Sequence, residues 1–283
     1  MFVNNHPLGR MAKLRSWSRV LRWQIGCRIL PFPIEVPWLE GSVLIMERGL
    51  TGATGNWYCG LHEFSDMALL LHYFGAEDAE GGFMDIGANI GSYTILAAAV
   101  CGQKCISLEP LPNTHQRLLR NIRANNVMDI VDAPCSAAGA LSGRIRFTCD
   151  LDTMNHVVGE DYEGNVTEVP VFPLDELVQD AVVIPSFWKI DVEGFEREVL
   201  DGATRSLADP KVQVVLLEDD DTEIRELMVH HGFQRASYDP FSRCLSIGAD
   251  ARCANNHIWV REPKEVERRC NASRRYEVLG IEF

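Results

Sequence analysis

The chain has 283 residues, is 46% hydrophobic and carries a formal net charge of −13. That is enough apolar material for one large α/β domain or two small ones, and the acidic balance argues against nucleic acid as a partner. No stretch reaches the roughly 20 apolar residues of a membrane span. The nine cysteines, an odd number with no C-x-x-C pair, argue against a disulfide framework or zinc site and for a reducing, cytoplasmic compartment.

Charge is unevenly spread. Residues 1–34 contain no Asp or Glu but carry Arg10, Lys13, Arg15, Arg19, Arg22 and Arg28. Between 11 and 30, Leu14, Trp17, Val20, Leu21, Trp23 and Ile25 recur at three- and four-residue steps, which predicts an amphipathic helix. Two roles suit it: a face that rests on anionic membrane, or a helix that caps the domain or mediates self-association. Pro31, Pro33 and Pro37 then impose an extended connector, with a short strand expected at 43–47. Residues 49–67 hold glycines at 49, 52, 55 and 60 ahead of a helix expected at 61–74. The segment reads as a flexible loop, either a lid or an ordinary surface connection. Asn56, Trp57, Tyr58, His62 and Glu63 give it the chemistry of a lid.

From residue 82 onward strands and helices alternate. Strands are expected at 82–86, 104–108, 130–133, 187–190, 212–218, 233–238 and 258–260, and helices at 92–100, 113–125, 196–207 and 222–231. This alternation specifies an α/β fold: a Rossmann-like, doubly wound, mostly parallel seven-stranded sheet with an antiparallel last strand, plus an N-terminal helical and lid extension. The chain divides into 1–80, with the basic helix, connector and glycine-rich segment, and 81–283, the cofactor-binding domain. The latter has an insertion at about 143–174, in which 144–148 and 168–172 read as a hairpin or edge strands.

The most informative stretch is Phe83 to Gly91, F-M-D-I-G-A-N-I-G. An apolar strand runs into a turn containing Gly87, Asn89 and Gly91, then into a helix whose first N–H groups face whatever sits there. Glu109 closes the next strand eighteen residues after Gly91, where an acid is placed to bind ribose hydroxyls. An adenosine-containing cofactor is implied. A dinucleotide turn is G-x-G-x-x-G, whereas here the glycines flank Asn89 and an acid, Asp85, precedes them. A carboxylate there would repel a pyrophosphate but suits a ligand with ammonium and sulfonium groups, as S-adenosylmethionine has. A second constellation, Trp188 to Glu196, closes the fourth strand. Lys189 and Asp191 share a strand face, and Glu193 and Gly194 occupy the turn. Unpaired charges are seldom buried, so the Lys189–Asp191 block is either functional or an ion pair that holds the strand end.

The D-x-G-x-N-x-G pattern resembles the first motif of class I methyltransferases. Over residues 49–262 the chain further resembles the FkbM-type methyltransferases. The resemblance is carried by residues 52–67, Met84 to Thr94, Glu109-Pro110, Asn121-Ile122 with Asn125-Asn126, T-M-N-H-V from Thr153, Leu174-Asp175, and Lys189 to Gly194 with Leu200 to Ala203. It departs after the fifth strand, where an acid followed by asparagine is usual and this chain has Glu218-Asp219-Asp220-Asp221. It implies an S-adenosylmethionine-dependent enzyme that methylates a hydroxyl of a sugar, glycan or secondary metabolite.

By position, Asp85, Gly87, Asn89 and Gly91 would line the methionine half of the cofactor and Glu109 the ribose. Ser136 would meet the adenine, and Tyr58, Glu63 and Met67 would cover the site. Asn155, Glu193 and Glu218 are the candidates for acceptor contacts. Asp191, Lys189 and His156 are the candidates for catalysis, with Asp191 or His156 as general base. No metal is assigned, since acids at 218–221 suit a helix N-terminus. Two alternatives stay open: an NAD-type oxidoreductase, and a non-catalytic module that keeps the fold.

Overall fold

The computed structural model describes residues 2–49, 51–76, 79, 81–148, 157–159, 162–179, 184–248 and 256–283. His156 and Asn155 lie outside the described residues.

Eight strands form the main sheet: β1 (Gly82–Ile86), β2 (Cys105–Leu108), β3 (Val131–Asp132), β4 (Pro185–Ile190), β5 (Val214–Leu217), β6 (Gln234–Asp239), β7 (Cys244–Ile247) and β8 (His257–Val260). Their order is β7-β6-β8-β5-β4-β1-β2-β3. From β5 to β3 the sheet is parallel. At the other edge β8 inserts antiparallel between β5 and β6. The central strands are buried on both faces, as a helix-covered parallel sheet requires. Phe83, Phe187, Val214 and Leu216 enter one apolar cluster, and Met84, Trp188, Val215 and Leu217 the other, the two-residue alternation of a strand.

The helices include α1 (Lys13–Ile29), α2 (Thr51–Cys59), α3 (Phe64–Phe74), α4 (Pro112–Ala124), α5 (Thr222–His230) and α6 (Pro263–Ala272). Leu118 and Ile122 of α4 and Val266 and Cys270 of α6 pack with α3 on the first face, and Ile224 and Met228 of α5 on the second. The helix expected at 196–207 is broken into Glu196–Asp201 and Thr204–Ala208. The break falls at Gly202, where a Cβ would stand 2.1 Å from the Gly139 carbonyl oxygen.

The sheet has one strand more than the sequence suggests. β7 pairs with β6 through a turn at 240–243, where the Asp239 carboxylate accepts from the N–H of Phe241 (3.0 Å) and the Ser242 hydroxyl (2.9 Å). Such a side-chain-stabilised turn is a local hairpin signal. α6 likewise escapes a reading based on alternation alone.

The glycine-rich segment is helical, not a flexible loop. α2 is pinned through Asn56, whose amide donates to Ser92 Oγ (3.0 Å) and accepts from the N–H of His62 (2.8 Å). Gly55 is needed because the His62 ring lies where its Cβ would be. Segment 276–283 closes over the same region. Glu277–Val278 pairs with Ile281–Glu282, Val278 lies against Gly60, the Tyr276 hydroxyl donates to the Leu71 carbonyl (3.2 Å), and the Phe283 ring sits edge-on to Phe64 at 5.2 Å.

The insertion joins a separate four-stranded sheet. Gly143–Thr148 runs antiparallel to Val166–Phe172, close to the expected hairpin. Ala137–Ala138 pairs parallel with Val171–Phe172 and ties this sheet to the residues that follow β3.

The edge of the N-terminal hairpin, Ile34–Pro37 against Val43–Met46, is held by two asparagines of the α4 region. Buried Asn121 accepts from the Ile45 N–H (2.8 Å) and donates to the Ile90 carbonyl (2.9 Å). Asn125 does the same for the N–H and carbonyl of Val43 (both 2.9 Å). Replacing Asn121 with Leu strands two backbone groups. It should lower the unfolding free energy by about 2–4 kcal/mol, read as a lower urea midpoint at unchanged slope.

Candidate active site

A cavity of about 380 Å³ opens at the carboxyl ends of β1, β2, β4 and β5, where doubly wound folds bind ligands. The turn after β1 is left-handed at Gly87 (φ 80°), Asn89 (52°) and Gly91 (89°). Glycine is required at 87 because a Cβ would stand 1.9 Å from the Asp191 carbonyl oxygen. Asp85 Oδ2 accepts from the N–H (3.1 Å) and the hydroxyl (2.7 Å) of Thr94. It therefore anchors the helix start under the turn while bordering the cavity. Burial pushes its carboxyl up to about 6, against Lys189 and Thr94.

Glu109 is fixed by two backbone donors, the N–H of Asn89 on Oε2 (3.0 Å) and the N–H of Leu111 on Oε1 (2.9 Å). Each oxygen keeps a lone pair for a further donor. Burial pushes the carboxyl up to about 7, and the two N–H bonds pull it the other way. Ser136, past the end of β3, is buried in the wall of the same cavity. Its hydroxyl has no partner among the described residues, and a buried polar atom facing a cavity is a ready contact for a ligand.

On the other side of β1, the β1–β4 register sets Lys189 beside Asp85. Lys189 Nζ pairs with the Asp191 carboxylate and stands 4.9 Å from the centre of the Tyr93 ring, a cation–π distance. Burial would strip its charge, but Asp191, Glu63 and Asp85 together hold the ammonium above its ordinary range. Burial also works against the Asp191 carboxylate, yet the Lys189 charge and a hydrogen bond with Glu218 keep it below the usual range. Glu218 is pushed up to about 8 by burial and by Asp191, Glu193 and Glu196. At neutral pH the Asp191–Glu218 pair therefore holds one proton. Carboxylate oxygens of Asp191, Glu193 and Glu218 lie within 4.8 Å of one another.

Two further acids of the run serve the fold. Asp221 caps α5 through the Ile224 N–H (2.8 Å), and buried Asp220 pairs with Arg225 and Arg235, each at 3.0 Å.

The third wall comes from the α2–α3 junction. Glu63 accepts from the Tyr93 hydroxyl (2.6 Å), and Met67 lies beside it. One cavity thus gathers Asp85, Gly87, Asn89, Glu109, Ser136, Glu63, Met67, Lys189, Asp191, Glu193 and Glu218. Two expected residues are placed elsewhere. Tyr58 packs into the apolar clusters beneath α1, with Trp23 and Val20, because α2 turns that face toward the N-terminal helix. Gly91 does not line the cavity but begins the helix, with Leu118 where a Cβ would project. Tyr93 and Phe147 join the lining without having been read from the sequence. Tyr93 carried a signal, as the second residue of the helix after the turn. Phe147 carried none, since the insertion reaches the site only through tertiary pairing.

A model of the methyltransferase FkbM domain matches residues 85–235, more than half of the chain. The chain belongs to the FkbM methyltransferase family. A hexuronic acid methyltransferase, AglP of Haloferax volcanii, is 33% identical over 137 residues, 47% of this chain and 54% of that protein. The match thus spans about half the length of that relative. Among solved structures, a methyltransferase FkbM from Methylobacillus flagellatus KT is similar with a TM-score of 0.43 and 18% identity, covering 66% of this chain and 47% of that one. A precorrin-6y C5,15-methyltransferase from Geobacter metallireducens is similar with a TM-score of 0.42 and 14% identity, covering 77% and 93%.

The ion cluster around Lys189 is testable on its own. In a Lys189→Met variant, Asp85 and Asp191 lose their counter-charge, which should destabilise the fold by about 3 kcal/mol at pH 7.5. Without the ammonium both carboxyls titrate higher in the folded state than in the unfolded chain. The folded state then binds protons first, so acidification toward pH 6 should recover part of the loss. Urea titrations of both proteins across this range measure it.

Proposed function

We propose that the chain transfers a methyl group from S-adenosylmethionine to a hydroxyl of a sugar, glycan or related secondary metabolite. The observation that carries this reading is a single cavity with two chemically distinct halves on either side of β1. Glu109 and the unpartnered Ser136 hydroxyl stand on the β2–β3 side, and Lys189, Asp191 and Glu218 on the β4–β5 side. The donor set fits the cofactor: a carboxylate with spare lone pairs for ribose hydroxyls, a buried hydroxyl for the adenine, and carboxylates that favour a cationic methionine head. When bound, the cofactor supplies a methyl group on a positively charged sulfur.

The chain's own residues then handle the acceptor. Attack by a neutral hydroxyl leaves positive charge on its oxygen, so its proton becomes strongly acidic as the carbon–oxygen bond forms. A carboxylate of low pKa is therefore a sufficient base, and Asp191, kept ionised by Lys189, takes that role. Glu218 and Glu193 offer oxygens to neighbouring hydroxyls of a polyol. A sugar acceptor is supported by the relative that acts on a hexuronic acid. The seven described cysteines are all free, which supports a reducing compartment such as the cytoplasm.

Calorimetry with S-adenosylmethionine, with NADH run in parallel, tests the cofactor. The former should bind and the latter should not, and Glu109→Gln should weaken binding about 10- to 100-fold. Ribose hydroxyls donating to Glu109 favour its ionised form, so binding should release a proton and tighten as pH rises through about 7. No heat with S-adenosylmethionine at any pH would overturn the assignment.

Asp191→Asn should reduce methyl transfer to a hydroxylated acceptor by about 10²–10⁴-fold while cofactor affinity changes far less. Single-turnover transfer of a labelled methyl group measures it, and unchanged turnover removes Asp191 from the mechanism.

A further inference from the structure

The buried side of α1 is accounted for. Ser16, Val20, Trp23 and Gly26 face the body of the protein, and Arg19 and Trp57 bolt the helix to α2 by reciprocal bonds to each other's carbonyls (3.1 Å each). This is the capping role expected of such a helix. The opposite side is unusual. Leu14 is 89% exposed, Leu21 62%, Ile25 49% and Ile29 73%, with Trp17 at 37%. At 3.6 residues per turn, steps of three and four put these side chains on one continuous stripe. Isolated exposed apolar residues need no explanation, but a contiguous stripe marks an interaction surface.

What borders the stripe selects its partner. Arg10, Lys13, Arg15, Arg22 and Arg28 are all exposed, and no acid occurs before Glu35 in a chain whose net charge is −13. This is a cationic, apolar-crested helix on an otherwise acidic molecule. A second copy of the chain would bring the same basic border against this one. We infer that α1 is an in-plane anchor for an anionic lipid surface, with Leu14, Trp17, Leu21 and Ile25 entering the acyl boundary and the flanking cations meeting lipid phosphates. No described helix is long and apolar enough to cross a membrane, so the contact is peripheral. Since α2 carries Asn56 of the cavity wall, docking through α1 holds the site close to the lipid surface.

Flotation of the full-length protein with vesicles tests this. Vesicles of phosphatidylcholine mixed with phosphatidylserine should capture the protein roughly tenfold better than phosphatidylcholine alone, and added salt should weaken the capture. The variant Leu14→Ser/Leu21→Ser/Ile25→Ser should lose capture about tenfold while keeping its melting temperature, since all three side chains are exposed. A second variant, Lys13→Gln/Arg22→Gln, should lose only the preference for phosphatidylserine. Equal capture by both vesicle types, or capture unaffected by the triple substitution, would overturn the inference. A concentration-dependent dimer that the triple substitution dissociates would overturn it as well, by assigning the stripe to self-association.

Discussion

Lys189 is the one buried ammonium around which the site is arranged. Three carboxylates, Asp191, Glu63 and Asp85, act on it, and burial works against the charged forms of Asp85 and Asp191, which its charge offsets. It holds this place because β4 runs parallel to β1 with Lys189 in register with Asp85. The same pairing brings the Asp191 carbonyl so close to Gly87 that no side chain fits there. A single strand pairing thus sets both the shape of the turn after β1 and the charge of the β4–β5 side of the cavity.

The strand pairing also explains how two neighbouring acids acquire different characters. Asp191 is in direct contact with the ammonium and stays ionised, whereas Glu218, one strand further out, is pushed up by burial and by Asp191, Glu193 and Glu196 and keeps its proton. Two carboxyl groups pushed in opposite directions by their surroundings are the usual means by which a fold obtains one acid and one base from the same residue type.

Much of this was legible in the sequence, for identifiable reasons. Strand ends are local features, so Asp85, Glu109, Asp191 and the glycine at 87 could be placed from hydrophobic runs and turn residues alone. The N-terminal helix was legible from its periodicity, and the insertion from its two β-rich runs. Segment 51–59 was not. Its glycines read as a loop, because the reason for Gly55 is the His62 ring and the reason for Asn56 is a hydroxyl on Ser92. Tyr58 was misassigned on the same ground: only the docking of α1 decides which face of α2 meets the cavity. Tertiary contacts overrode local propensity in each case.

Segment 276–283 bears on how the molecule comes to be made. It packs on Gly60, Leu71 and Phe64, which support the wall that carries Glu63 and Met67. The parallel strands that present Glu109 and Asp191 all precede residue 218, so a nascent chain can assemble the sheet well before that wall is locked. During synthesis from the N-terminus the turn after β1 can therefore form before residues 276–283 emerge to pack against that wall. A chain still lacking 276–283 would thus carry its parallel strands without the packing that backs the wall of Glu63 and Met67.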